Sequence, residues 1–328
     1  MNEDMIDYST LKCWANELGF AKTGICSAKA FDAERRIVSQ QEELKERRQL
    51  RFDPNSDDQN IKSLVVLLWP YAPAPMTEGE FVWVDNYYEA SNAAYHAARQ
   101  LESRLIQNGC FAKANVSYPA KAAAVRAGLG VIGDHSLLIT PEYGTRVVII
   151  LMATDIPFSG EDGLETESEC LHCGRCAGAC PVGAIDSHGM RYPQKCLRNY
   201  MMEGVVVPSE IRDRMGSRLI GCDACQRACP MQPLQMQQEQ DDRRKLALSE
   251  FISEDSGQFS AACERLAQRI GRNAARPQRV RAQAALLAGC SRDPSFLPVL
   301  RLWADSPFEA VSKHSAWAIQ MIEADQRK

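Results

Sequence analysis

Hydrophobic and polar positions along the chain change period several times, and each change predicts an element. Residues 8–28, YSTLKCWANELGFAKTGICSA, read as an amphipathic helix stopped at Gly19, followed by a short strand carrying Cys26. The charged stretch 33–51 reads as a helix. Residues 63–73, SLVVLLWPYAP, form a continuous apolar run ending in proline, the pattern of a buried strand. Residues 90–110 predict a further helix, with Gly109 near its end. From Lys121 onward the chain reads as a helix, a glycine-rich turn and two strands joined at PEYG, residues 141–144. Alternating helices and strands place this portion in the mixed α and β classes. Beyond residue 245 only helical periods remain: 259–273, 276–291, 295–305 and 308–323, broken by RDPS and DSP. These short paired helices predict one or two HEAT-like units.

Two polar stretches interrupt the pattern. The first, 156–168, marks a domain boundary, and the charged run QQEQDDRRK, 237–245, reads as a linker. The predicted domains are 1–158, 159–236 and 246–328, in a chain of 328 residues. A net charge of −4 gives no general attraction to nucleic acid or to an anionic membrane, although it leaves room for a local basic patch. The acidic, polar opening MNEDMIDYST differs from a signal peptide, and the apolar run 146–156 is far short of a membrane span. A cytoplasmic protein without membrane contact is expected.

Thirteen cysteines change the picture, because seven of them fall between Cys170 and Cys225, with Cys229 just beyond. In a reducing compartment such density points to metal rather than to disulfides. Cys170, Cys173, Cys176 and Cys180 form C-x2-C-x2-C-x3-C-P, the bacterial ferredoxin run, in which the fourth thiolate reaches across to the other cluster. Cys196, Cys222, Cys225 and Cys229 follow, the last before Pro230. Eight ligands suffice for two [4Fe–4S] clusters. By the crossed logic, Cys170, Cys173, Cys176 and Cys229 hold one, and Cys180, Cys196, Cys222 and Cys225 hold the other. Structural zinc is the alternative use of paired C-x2-C units. The remaining cysteines, Cys13, Cys26, Cys110, Cys263 and Cys290, sit in apolar or mixed contexts that predict burial.

Taken together, RFDPNSDDQNIKSLVVLLWPYAP, AGLGVIGDHSLLITPEYG, the two cysteine runs including GCDACQRACP, and HSAWAI in the tail resemble the epoxyqueuosine reductase family. The resemblance covers nearly the whole chain. It implies an α+β protein with an N-terminal α/β cobalamin-binding domain, a ferredoxin-like double-cluster module and a helical-repeat tail. It also implies reduction of epoxyqueuosine in tRNA to queuosine, with electrons passing from the clusters to cobalt, supplied by a donor of the ferredoxin or flavodoxin type. By the same resemblance Gly128, Gly130 and Gly133 of GLGVIG pack near the corrin, where glycine permits close approach. The bland reading of those glycines is a tight helix-to-strand turn.

The chain departs from the family where chemistry matters. Family members acting on epoxyqueuosine carry an aspartate upstream of the glycine turn; the corresponding NVSYPAKAAAVRAGLG has no acidic residue. Reductive dehalogenases, which share the corrinoid-binding fold in outline, use a tyrosine proton donor helped by a cation. Tyr118 with Lys121 is the matching candidate pair, the ammonium lowering the phenol's pKa. His135 and His96, with Tyr95, are candidate polar groups near the cofactor. In the tail, Arg265, Arg269, Arg272, Arg276, Arg279 and Arg281 lie in a run without an acid, a candidate grip on RNA phosphates. The alternatives are the same machinery acting on another substrate, and a low-potential electron-transfer protein without a substrate of its own.

Overall fold

The computed structural model describes residues 6–40, 51–76, 80–158, 160, 162–163, 169–186, 191–236 and 246–327. The first helix, α1 (Tyr8–Glu17), opens on Asp7, whose carboxylate accepts from the Thr10 N–H at 2.8 Å. It ends before Gly19, at φ 98°, where a Cβ would come within 2.8 Å of the Trp69 ring. Strand β1 (Lys22–Ser27), α2 (Asp32–Ser39), α3 (Pro54–Asp57) and β2 (Ser63–Pro70) follow. The predicted charged helix is therefore seen in its first part; residues 41–50 lie outside the described residues. The chain continues through β3 (Phe81–Val84), α4 (Asn86–Gln107), β4 (Ala112–Ala114), α5 (Ala120–Arg126), β5 (Val131–Ile132), β6 (Leu138–Ile139) and β7 (Val147–Thr154).

β1, β2, β7 and β4 lie side by side in that order, every pairing antiparallel. β2 is central, and its apolar run serves both faces because side chains alternate along a strand. Val65 and Leu67 pack with Leu11 of α1 and with Ala94, Leu101 and Leu105 of α4. Leu64, Val66 and Leu68 pack on the opposite face with Phe31 and with Ala122, Ala123 and Ala124 of α5. The result is a helix–sheet–helix sandwich around an antiparallel sheet. The two strands joined through PEYG belong to different sheets: β6 folds back on β5, whereas β7 runs between β2 and β4. A tight turn separates them, closed by Thr140 N–H donating to Gly144 O at 2.8 Å.

The cysteine-rich segment contributes α6 (Arg175–Ala179), α7 (Leu197–Glu203), β8 (Arg218–Ile220) and α8 (Ala224–Arg227). β9 (Leu246–Ala247) precedes four helices: α9 (Ser256–Ile270), α10 (Pro277–Ser291), α11 (Leu297–Ala304) and α12 (Glu309–Asp325). These occupy the four helical periods read in the tail, while the 237–245 linker lies outside the described residues. β3 pairs in parallel with β8 and antiparallel with β9, so one small sheet joins all three segments. The core around it does the same, gathering Val82 and Tyr88 with Leu197 and Leu219 and with Phe251 and Leu286.

His314 of α12 ties the tail to the cysteine-rich segment. Its Nε2 accepts from the Val207 N–H at 2.9 Å, so the neutral ring carries its proton on Nδ1, which donates to the Ala282 carbonyl at 2.9 Å. Burial pushes its pKa down to about 4. The unfolded chain, with histidine near its ordinary 6.5, binds the proton first as pH falls. The stabilisation is thus complete above pH 6.5 and is lost on acidification toward 4, by up to about 3 kcal/mol. Urea midpoints measured across this window should fall with pH in the wild type, and less steeply in His314→Gln. Equal slopes would remove His314 from the account.

Candidate cluster-binding site

Two groups of cysteines converge where the cysteine-rich segment meets the first sandwich. Cys170, Cys173, Cys176 and Cys229 line one cavity together with Asp134 and His135 of the β5–β6 turn. The loop carrying the first of these bends sharply, with His172 at φ 47° and Gly174 at φ 69°. Cys173 is exposed, whereas Cys176 is buried. Burial pushes the Cys176 thiol up, and the nearby Asp134 and Cys170 add to it. His172 Nδ1 lies 2.8 Å from Asp134 Oδ1 at the mouth.

The other group is half-buried at all four cysteines. Burial holds the Cys225 thiol well above its ordinary value, and Cys222, Cys196 and Cys180 face it closely enough to add to the effect. Cys222 is pushed up to about 11, also chiefly by burial. Cys180 Sγ accepts from the Ala184 N–H at 3.2 Å, the backbone-to-sulfur contact that short ligand loops provide. Cys222 and Cys225 thus resist ionisation as single thiols, whereas a bound cation deprotonates the thiols that ligate it. Sulfur-only sets of this kind suit zinc or iron–sulfur chemistry, and two adjoining sets suit the latter.

A buried polar web fixes the second run against the first sandwich. Asp223, between Cys222 and Cys225, meets Arg146 Nη2 at 3.2 Å and Arg227 Nε at 2.8 Å. Gln226 donates to Thr145 O at 2.8 Å and to Tyr71 Oη at 3.0 Å. Asp85 caps α4 through the Tyr87 N–H at 3.0 Å, and burial, with Asp223 nearby, raises its pKa to about 6. None of these residues was singled out from sequence. A DAC-Q spacing around the ligands is the one local signal that something other than cysteine matters there.

The glycine turn has an internal explanation. A Cβ on Gly130, at φ 157°, would sit 2.1 Å from the Ile139 carbonyl oxygen. One on Gly133 would meet Ile139 Cδ1 at 2.7 Å and His135 Cε1 at 2.8 Å. Gly128, at φ 67°, ends α5. The space is filled by the hairpin's own atoms, so the tight turn by itself accounts for Gly130 and Gly133. His135 is buried in that turn, its Nδ1 accepting from the Leu137 N–H at 3.1 Å, and burial lowers its pKa to about 4. Tyr95 and His96 stack edge-to-face on the exposed side of α4.

The expected Tyr118–Lys121 pair is not formed. Tyr118 precedes α5, its hydroxyl donates to Asp57 Oδ2 at 2.9 Å, and burial with that carboxylate raises its pKa to about 12 instead of lowering it. Lys121 turns elsewhere and donates to the Ser136 carbonyl. Burial, then the nearby Arg191 and Arg198, lower its pKa to about 8. Close by in sequence, Asn115 holds φ 58°, and its side-chain nitrogen is buried without a partner. An orphaned amide and a buried ammonium at the head of α5 fit a group rich in amide oxygens, such as a corrin periphery.

The arginine run is not a free stripe. Arg265 pairs with Glu250 at 2.7 Å and Arg269 with Glu89. Arg279 donates to Asn273 O at 2.8 Å, and Arg281 lies over the Phe259 and Trp303 rings. Arg272 is exposed beside Glu264 at 3.3 Å, and Arg276 is exposed. Of the other cysteines, Cys26, Cys110 and Cys263 are buried as expected, but Cys13 is exposed. Among the described residues no helix is long and apolar enough to cross a membrane.

Comparison with known proteins follows this geometry. Residues 169–232 match the family model of the 4Fe-4S double cluster binding domain. Epoxyqueuosine reductase of Bacillus subtilis (strain 168) is 39% identical over 111 residues, 34% of this chain and 28% of that protein. Epoxyqueuosine reductase of Bacillus anthracis is 28% identical over 254 residues, 70% of this chain and 64% of that protein. The chain therefore aligns with less than two thirds of the length of these two relatives. Among solved structures, an epoxyqueuosine reductase with a tRNA-Tyr epoxyqueuosine-modified stem loop superposes with a TM-score of 0.78 at 25% identity. That match covers 96% of this chain and 89% of the other. In sequence, in fold and in its double cluster domain, the chain is similar to the epoxyqueuosine reductases.

Proposed function

We propose that this chain is an iron–sulfur- and cobalamin-dependent oxidoreductase of the epoxyqueuosine reductase type, acting on a modified nucleoside of tRNA. The observation that carries the reading is the pair of converging cysteine groups inside a fold that follows a solved epoxyqueuosine reductase over 96% of the chain. Cys170, Cys173, Cys176 and Cys229 hold one [4Fe–4S] cluster, and Cys180, Cys196, Cys222 and Cys225 the other. The exposed Cys173 loop is where a one-electron donor of the ferredoxin or flavodoxin type delivers its electron. Residues 1–158, 159–236 and 246–328 act as the reductase-like, ferredoxin-like and HEAT-like parts.

Cobalamin, when bound, supplies a strongly reducing cobalt centre that low-potential clusters can charge. Asn115 and Lys121 would hold its amide-bearing edge. Lys121 also suits proton donation, since a buried ammonium with a pKa near 8 gives up its proton readily at neutral pH. Tyr118 keeps its proton on Asp57 and braces α3 against α5. Arg265, Arg272 and Arg276 are the exposed members of the tail run, placed for RNA phosphates.

One observation favours a second reading, the same machinery with another substrate: residues 115–130 contain no carboxylate. One experiment separates the two. The clusters are reconstituted anaerobically, hydroxocobalamin is added and the excess removed. The reduced protein is then mixed with an epoxyqueuosine-containing tRNA stem loop, and the nucleosides are analysed by mass spectrometry. Retained corrinoid with loss of the epoxide oxygen is expected. Retained corrinoid with unchanged nucleoside selects the second reading, and two clusters without retained corrinoid overturn both.

A further inference from the structure

The PEYG turn has a partner far along the chain. Segment 226–235, which follows Cys225 and carries Cys229, is seated on that turn and on Thr145 directly after it. Gln226 Nε2 donates to the Thr145 carbonyl at 2.8 Å. Gln232 Nε2 donates to the Thr145 hydroxyl, and Gln232 Oε1 accepts from the Thr145 N–H at 3.3 Å. Gln235 Nε2 donates to the Glu142 carbonyl at 3.2 Å. Gly144, at φ 54°, leaves the room for this: a Cβ there would press on Gln232 Oε1 and stand 2.7 Å from the Met231 carbonyl oxygen. Thr145, Gln226 and Gln232 are 3%, 5% and 7% exposed, so these bonds are made away from solvent, where deleting one partner strands the other. The segment also closes on itself, since the Gln226 carbonyl accepts from the Cys229 N–H and from Gln232 Nε2, each at 3.2 Å. Cys229 therefore projects from a short loop, 226–232, whose two ends are pinned to one threonine.

We propose that Thr145, Gln226 and Gln232 are positioning residues of the electron path: one anchor on the sandwich holds the crossed ligand Cys229 and, through it, the separation of the two clusters. This rests on the two-cluster reading above. The loop matters because the ligands at its two ends serve different clusters. Cys225, immediately before Gln226, belongs to the second, whereas Cys229 shares the cavity of Cys170, Cys173 and Cys176. The ion web of Asp223 lies before Cys225 in the chain; the Thr145 anchor lies after it, on the side of Cys229. In the transfer the first cluster is oxidised by one electron as the second is reduced by one, and no bond forms or breaks. The protein's part is then to keep the two centres at a fixed distance. Groups that orient metal ligands are worth about 10–100-fold in metal affinity or activity, which is the scale expected here.

The test uses the full chain with both clusters reconstituted and fully reduced. Each reduced cluster then carries an unpaired spin, and the two spins couple through space with a strength that falls as the cube of their distance. In Gln232→Ala the EPR splitting from this coupling should change. Iron should also leave the first cluster, the one missing from Cys173→Ser protein, about tenfold faster under a chelator, while the second keeps the wild-type rate. Thr145→Val, which removes only the hydroxyl, should shift both readings in the same direction, and Thr145→Ser, which keeps it, should restore them. An unchanged splitting in Gln232→Ala, equal acceleration of iron loss from both clusters, or a Thr145→Ser protein that behaves like Thr145→Val overturns the proposal. If Gln232→Ala does not assemble its clusters, the Thr145 pair decides alone. Absence of two reducible clusters from the wild type is a different failure, that of the two-cluster reading, and the first spectrum reveals it.

Discussion

Cys180→Ser protein is expected to lose the same cluster as Cys225→Ser protein, although Cys180 belongs to the other sequence run. Each should retain about half the wild-type iron and acid-labile sulfide, since four thiolates hold each cubane and two sets are present. Cys229→Ser and Cys173→Ser should form the complementary pair, losing the other cluster. The ground for this is spatial. Cys180 lies with Cys196 and Cys222 around Cys225, whereas Cys229 lines the cavity of Cys170, Cys173 and Cys176. Iron and sulfide analysis with EPR of the dithionite-reduced variants makes the comparison. If Cys180→Ser and Cys173→Ser remove the same signal, the ligands are not crossed. The loss should also loosen the fold around residues 169–236, because metal binding and the ordering of its loops are one free energy. The cluster held by Cys222 should matter more here, as Cys222 packs against the core that joins the tail to the sandwich.

What was legible in the sequence was local. The run Leu64–Leu68 is apolar at every position and could only be a strand covered on both faces. The cysteine spacing is contiguous, and its crossed grouping follows from the ferredoxin pattern. The four tail helices show their periods because each buries one face. What failed depended on partners far along the chain. Arg269 finds Glu89, 180 residues away, and Arg281 lies half-buried over the Phe259 and Trp303 rings, so the run that reads as a uniform basic stripe is exposed at Arg265, Arg272 and Arg276 and paired or stacked at other positions. Tyr118 and Lys121 stand three apart, the spacing of neighbours on a helix, but α5 begins only at Ala120 and the two side chains diverge. The glycines of the turn announce close packing without saying what approaches; it is the carbonyl of Ile139. β3, β8 and β9 have two to four residues each, too few for a period to show.

Asp223→Ala is expected to be among the most damaging substitutions outside the cysteines, with a loss of about 3–5 kcal/mol. The carboxylate is 1% exposed and Arg146 is 2% exposed. Removing the acid leaves Arg146 buried without its counter-ion and takes one partner from Arg227, while Arg146 Nη1 already lacks a partner. The cost is that of stranding a charge, not the net value of the pair. It follows that Arg146→Met combined with Asp223→Leu should recover much of the loss, because apolar groups of similar volume leave nothing to solvate. Urea unfolding of the cluster-loaded chain measures both. A single-variant loss under 1 kcal/mol would mean that the pair is hydrated. Full recovery in the double variant would show that the web stabilises only by being satisfied. The web also touches the ligands, since Asp223 lies between Cys222 and Cys225 and Gln226 follows directly. Should the double variant recover stability yet bind its second cluster poorly, the buried ions are there to place the thiolates. An apolar pair fills the same space without directing the backbone from which those cysteines project.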